Sequence, residues 1–339
     1  NMDINSTFVK GRMNKSVDER LIPPGEYVDA LNVRLGSTET TEIGAVENSK
    51  GNTKLTTLQI NGTDISTEAT CIGSYADGIN ETLYWFVHDP NFLPSPTGIA
   101  DLVVSYNTSI NAITYHLVSF DVLKFDPKFL ITGVNKIEDL LFFTDDLNPP
   151  RVINVKRDYG PNNTFTEEQI SVIVKPPGFR DNELGAPEIS LFNSNAIENS
   201  FIEEVFISFA YRFKYLDNKY SATSLFTTAA FEPGNFQLNY STFENDGMIN
   251  QFNSINVKVS TGNSEVVGIE ILYKASNSTS IFLIEKLNKS LLGIPNDTSY
   301  NYPISAQKIY TLLGQDELLR QYDNVPLIAK SQTIQGNRL

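Results

Sequence analysis

From residue 70 onward, short runs rich in Val, Ile, Phe, Tyr and Thr alternate with turns built from Asn, Asp, Gly and Pro, the pattern of half-buried strands joined by tight connections. The alternation predicts strands over residues 70–75, 82–88, 102–106 and 113–119, with turns at Asp77-Gly78 and residues 107–111. Such a four-strand group has about the length of one propeller blade. A second, incomplete copy is read over residues 129–134, 139–144 and 152–156. In both copies the second strand is the most apolar, Leu83-Tyr84-Trp85-Phe86-Val87 and Leu140-Leu141-Phe142-Phe143, as expected of an inner strand covered on both faces.

After Pro176-Pro177-Gly178 the character changes: residues 180–185 are polar and charged, and the apolar runs that follow are longer. Residues 205–214 alternate, Asp217-Asn218-Lys219 marks a turn, and residues 220–231 complete an expected hairpin. Three more strands are read over 255–260, 266–274 and 281–286. This group resembles fibronectin type III modules in its alternating Tyr211-to-Tyr215 strand followed by an acidic turn and Tyr220-Ser221. Residues 316–322 read as a short amphipathic helix and 326–339 as an extended stretch. The fold class expected is therefore all-β, a partial β-propeller with an inserted fibronectin III-like β-sandwich. Its division is an N-terminal arm (1–24), a propeller part (25–183), a sandwich insert (184–305) and a return segment (306–339).

A length of 339 residues gives room for cores built from side chains alone, and the one cysteine, Cys71, excludes an intrachain disulfide. Cys71 lies beside Ile72 in an apolar run and is expected as a small buried hydrophobe. A formal charge of −14 and a pI near 4.6 argue against a tight nucleic-acid surface, which needs clustered cations. No apolar run approaches the roughly eighteen residues of a membrane helix. The chain opens on Asn1-Met2, which is neither a plain initiator nor a signal peptide, and is expected to be part of a longer protein.

Candidate chemistry is sparse. Histidine occurs only as His88 and His116, each in a predicted strand, with no second cysteine, no zinc-protease helix motif and no nucleophile elbow. Structural roles are expected for both, and no catalytic residue, cofactor or metal is assigned. The acidic pairs Asp18-Glu19, Asp145-Asp146, Glu167-Glu168 and Glu203-Glu204 lack calcium-loop spacing. The N-terminal arm differs. Arg12, Lys15, Asp18, Glu19 and Arg20 form a dense mixed-charge set, and Phe8, Met13, Leu21 and Ile22 supply apolar anchors. Mixed charge around apolar anchors suits a protein interface, so these nine residues are the candidate interface.

Three blocks carry a family likeness: residues 11–33, beginning Gly11-Arg12-Met13-Asn14-Lys15 and containing Pro23-Pro24-Gly25; residues 44–53; and Thr144-Asp145-Asp146-Leu147-Asn148-Pro149-Pro150-Arg151. Together with residues 322–339 they resemble the tail nozzle, or packaged-DNA stabilisation, proteins of short-tailed bacteriophages, and especially the muzzle proteins of crAss-like phages. The resemblance implies a homo-oligomer, with six copies in a ring around the DNA exit channel. It also implies contacts with portal-adaptor and other tail proteins, transient passage of double-stranded DNA, and retention of the packaged genome. An acidic lumen would repel the DNA backbone and keep it from sticking. The competing reading is a carbohydrate-binding or carbohydrate-cleaving propeller for receptor recognition, with Tyr84 and Trp85 as stacking platforms.

Overall fold

The computed structural model describes residues 12–29, 31, 33–36, 45–48, 51, 54–160, 164–195, 202, 205–304, 311–314, 317 and 325–335. The chain divides into two compact units, residues 1–64 and 65–339. Its regular structure is almost entirely β.

The first unit consists of short ribbons. Strand β1 (Arg12–Met13) pairs in parallel with β2 (Glu26–Tyr27), β3 (Val33–Gly36) pairs antiparallel with β4 (Ala45–Asn48), and β5 (Gln59–Ile60) pairs with β6 (Thr63–Asp64). Strand β2 ends after Tyr27.

The second unit begins with a four-strand meander, β7 (Thr70–Asp77), β8 (Thr82–Asp89), β9 (Ala100–Asn107) and β10 (Ala112–Ser119), paired in sequence order. Asp77 and Asn107 form the turns. Each side-chain oxygen accepts backbone N–H groups two and three residues on, at 3.0–3.2 Å, which is why Asx residues stand there. The aromatic β8 is largely covered, as its sequence predicts, but β9 is buried along nearly its whole length. A three-strand meander follows, β11 (Gly133–Ile137), β12 (Leu140–Thr144) and β13 (Arg151–Asn154). Its first strand starts at Gly133 and not at residue 129, because Pro127 lacks an N–H and Phe129 N turns back to Asp126 O at 2.9 Å.

These two sheets share one core, in which Ile72, Tyr84, Phe86, Val103 and Leu117 meet Ile131, Leu141, Phe143 and Ile153. The segment leading into β11 approaches the first sheet closely at Gly73, where a Cβ would lie 2.6 Å from Ile131 O, so any side chain there would push that segment away. The neighbouring residue corrects an expectation. Cys71 is exposed, not buried, because a bulge shifts the register between Cys71 and Gly73 and turns Ile72 into the core instead. No closed propeller ring is formed among the described residues.

The remainder builds two further sheets around a second core. One contains β14 (Glu188–Phe192), β16 (Ser254–Ser260) and β19 (Ser299–Ile304), and the other β15 (Ile207–Tyr215), β17 (Val266–Ala275), β18 (Ile281–Asn288) and β20 (Thr311–Leu312). Ile255, Val257, Val259 and Ile304 from the first pack with Phe209, Tyr211, Phe213, Ile269 and Ile271 from the second. Strands β14 and β19 escaped the sequence reading because their polar residues face out and half their length is exposed.

The expected hairpin partner over 220–231 is not a strand. Ser221, Ser224 and Thr227 each donate a backbone N–H to Phe213 O, Tyr211 O and Phe209 O, at 2.8–3.0 Å. Each hydroxyl also accepts the N–H of that same β15 residue at 3.0 Å. Three residues of this strap therefore match two of the strand, and hydroxyls replace the missing backbone carbonyls. Replacing Ser224 with Val should leave the buried Tyr211 N–H without an acceptor and lower stability by about 1–3 kcal/mol in urea unfolding, whereas Thr should retain most of it. Equal losses for Val and Thr would refute the role of the hydroxyl.

Candidate assembly surfaces

The arm is tied to its own unit at two points. Asn14 N donates to Tyr27 O at 2.8 Å, and Asn14 Nδ2 donates to Glu26 Oε2 at 2.8 Å. Between them the chain makes a single 3-10 turn, Glu19–Leu21, whose first turn is capped by Asp18 Oδ1 accepting from Arg20 N at 3.0 Å. Pro23 and Gly25, with Gly25 at φ +92°, then bend the chain into β2.

This geometry places most of the candidate interface residues on the outside. Arg12, Met13, Lys15, Asp18, Glu19, Arg20 and Leu21 are exposed and Ile22 is half-buried, while Phe8 lies outside the described residues. Lys15 pairs with Asp29 at 3.8 Å across an open hollow also lined by Val17, Asp18, Glu19, Arg20 and Val28. Among the described residues, Arg12, Glu19 and Arg20 make no ion pair. The arm thus spends its backbone hydrogen bonds internally and leaves its charged and apolar side chains uncovered.

A second polar system joins the paired meanders to the strap-bearing sheets within the second unit, and no motif in the sequence pointed to it. Arg157 Nη2 meets both Glu265 carboxylate oxygens at 2.8 Å, and Gln169 Nε2 donates to Glu265 Oε1 at 2.8 Å. Asn154 Nδ2 donates to Asp217 Oδ1 at 2.6 Å, Lys219 Nζ to Ser171 O at 3.2 Å, and Tyr215 Oη to Lys175 O at 2.6 Å. The Arg157 guanidinium also stacks 4.8 Å above Tyr159. Burial lowers the Lys219 pKa to about 8. The partners lie 40 to 108 residues apart in sequence and the ion pair is half-buried, so these bonds tie distant segments of the second unit together.

The Asp145-to-Arg151 block is also structural. Asp145 Oδ1 accepts from Asn148 N at 2.7 Å, and Asn148 Nδ2 donates to Asp145 Oδ2 at 2.6 Å. The two prolines then deliver buried Arg151, which donates to Leu123 O at 2.6 Å and Val122 O at 3.1 Å. Beside it Asp146 N donates to Ala329 O at 3.1 Å, and the backbone of Ser331 and Gln332 crosses Gly133 so closely that a Cβ would meet it at 2.9–3.0 Å. The chain from 329 to 332 therefore lies against the second meander.

Neither histidine faces an open cleft. His88 Nδ1 lies 2.7 Å from Asp101 Oδ1, both buried, and burial raises the Asp101 pKa. His116 Nε2 lies 2.8 Å from Ser105 Oγ, which is itself buried. Burial lowers the His116 pKa to about 4, against a backbone hydrogen bond at Val155 that favours the cation. Because this folded pKa lies below the unfolded value of 6.5, its contribution to stability is full above about pH 6.5 and is lost as pH falls toward 4. The loss should approach about 3 kcal/mol, and His116→Gln should flatten that part of the pH–stability curve. An unchanged curve would show that His116 does not titrate with folding. Tyr84 is buried in β8 and offers no free stacking face, while half-buried Trp85 packs against Tyr106 at 6.3 Å. Among the described residues, no group of three or more His, Cys, Asp or Glu side chains is arranged to hold a metal, and no helix is long and apolar enough to cross a membrane.

A family model described as Crassvirus muzzle protein matches residues 3–176, more than half of the chain. The matched span takes in the arm and both meanders and ends at Pro176, the start of the Pro-Pro-Gly break. No curated protein and no solved structure matches.

Proposed function

The chain belongs to the Crassvirus muzzle protein family, whose members are structural components of the virion tail, and from that premise we propose that it is a ring-forming subunit of the tail nozzle. In this reading copies of the chain, six in number, surround the DNA exit channel below the portal and adaptor, retain the packaged genome and carry further tail proteins. The observation that carries it is the family match over residues 3–176.

The fold assigned to this role is a partial propeller over 25–183, a fibronectin III-like sandwich inserted over 184–305, and a return segment from 306. Two findings support it. The paired meanders pack face to face through one core, as adjacent blades do, and residue 329 comes back to Asp146 after the intervening sheets. The half-buried pair of Arg157 and Glu265 would help to hold the insert in one orientation, which a ring needs if every subunit is to present the same surface. The arm, with Arg12, Met13, Lys15, Asp18, Glu19, Arg20, Leu21 and Ile22, is assigned to the contact with a neighbouring subunit or tail protein. A net charge of −14 suits a channel wall past which DNA must slide.

The test is electron microscopy of virions whose copy of this chain carries a small label in an exposed turn. Density on a ring at the tail is the expected result; label on the capsid shell, or on fibres alone, would end the reading. For the arm, replacing Arg12, Lys15 and Arg20 together with Ala should lower the yield of tailed particles while leaving the melting temperature of the isolated chain unchanged, since none of the three is buried. Normal yield would remove the arm from the interface.

A further inference from the structure

One protrusion of the second unit is built in a way that the core does not explain. Residues 232–251 leave the strap, run out and return as a narrow loop pinned across its width. Gly234 N donates to Ile249 O at 3.3 Å, Asp246 N to Gln237 O at 2.8 Å, and Asn239 N to Glu244 O at 2.8 Å. At its tip Asn239 Oδ1 accepts from Ser241 N at 2.9 Å, and Phe243 takes a left-handed conformation at φ +61°. Its two arms touch at Gly247, where a Cβ would meet Asn235 O at 1.9 Å. At the root, buried Asn250 donates to Ala230 O at 3.1 Å and accepts from Glu232 N at 3.2 Å.

Ordering about twenty residues in this way costs conformational entropy, which buried apolar surface ordinarily offsets. Here it does not. Between 232 and 250 only Gly247 and Asn250 are buried, whereas Phe236, Tyr240 and Phe243 are 74%, 82% and 79% exposed and Leu238, Met248 and Ile249 are exposed beside them. Exposed apolar side chains on one hydrogen-bonded loop are the construction of a binding element, because much of the ordering cost is met before the partner arrives.

Charge identifies the partner. No Lys or Arg occurs from residue 220 to 257, while Glu232, Glu244 and Asp246 stand exposed on the loop. A polynucleotide or an anionic lipid surface would be repelled, whereas a basic-rimmed protein surface would be attracted. We propose that residues 232–251 are a docking finger that inserts its aromatic side chains into an apolar groove, rimmed by Lys and Arg, on a different protein of the tail. The aromatic residues supply the anchoring area and the three carboxylates set approach and register.

The proposal rests on the assignment of the chain to the tail, and its test separates the two. Virions are produced with full-length chain carrying a benzophenone amino acid at position 243, irradiated, and digested for mass spectrometry. Expected is a cross-link from position 243 to a Lys- or Arg-rich segment of another tail polypeptide. In parallel, Phe236→Ser with Phe243→Ser, and separately Glu232→Gln with Glu244→Gln and Asp246→Asn, should each reduce incorporation of that polypeptide about tenfold while the melting temperature of the isolated chain stays unchanged. A cross-link to another copy of this chain, to glycan or to nothing, in virions that do contain the chain, would overturn the finger. Virions lacking the chain altogether would overturn the tail assignment first.

Discussion

Replacing Arg212 with Met is expected to lower the stability of the second unit by about 3–5 kcal/mol, because it strands a buried carboxylate. Arg212 and Glu270 face each other across β15 and β17. Their side chains are 6% and 3% exposed, with Nε and Nη2 at 2.8 and 2.7 Å from the same Oε2. The guanidinium lies 4.7 Å above the Tyr220 ring and sends Nη1 to Glu317 Oε2 at 3.0 Å. Lys286, at 3.5 Å from the other oxygen, is largely in water and offers only partial compensation. The double variant Arg212→Met with Glu270→Leu should recover much of the loss, since no charge then remains in the sheet. Urea unfolding reads both values; a single variant within about 0.5 kcal/mol of the parent would show that the pair contributes nothing net.

Phe143→Ala carries the other large effect, about 3–5 kcal/mol, from the cavity it leaves between the two meanders. The Phe143 ring is 1% exposed and lies 4.8 Å from Phe86 and 6.5 Å from Phe125. Because these rings belong to both sheets and the segment between them, the loss should appear as one cooperative transition shifted to lower denaturant. An early, separate transition would mean that the sheets fold independently. Phe243→Ala, in the exposed finger, is the matched control and should stay within about 0.5 kcal/mol.

Both effects arise where sequence and structure diverge in what they reveal. The short apolar runs between turns announced most strands of the meanders, and the two most apolar runs, 83–87 and 140–143, read as inner strands from the pattern alone. The Asx turns at Asp77 and Asn107 were equally legible, since the side chain that forms the turn is local to it. The candidate interface residues of the arm stood out by composition, and those that the structure describes are exposed apart from half-buried Ile22.

What pattern cannot carry is any interaction whose partners are brought together only by packing. Cys71 read as buried until a bulge of one residue reversed its face, a change that leaves no local trace in a run of apolar neighbours. The strap over 220–231 has strand composition, yet its three-for-two match to β15 depends on where that edge lies. Arg157 and Glu265 are 108 residues apart, and Arg212 and Glu317 are 105 apart. By itself the sequence determined the β character, the core faces, the turns and the family likeness, all of which follow from neighbours along the chain. Tertiary structure alone decided which charges pair, which edge is strapped and which aromatics stay in water, because those outcomes follow from distances that folding creates.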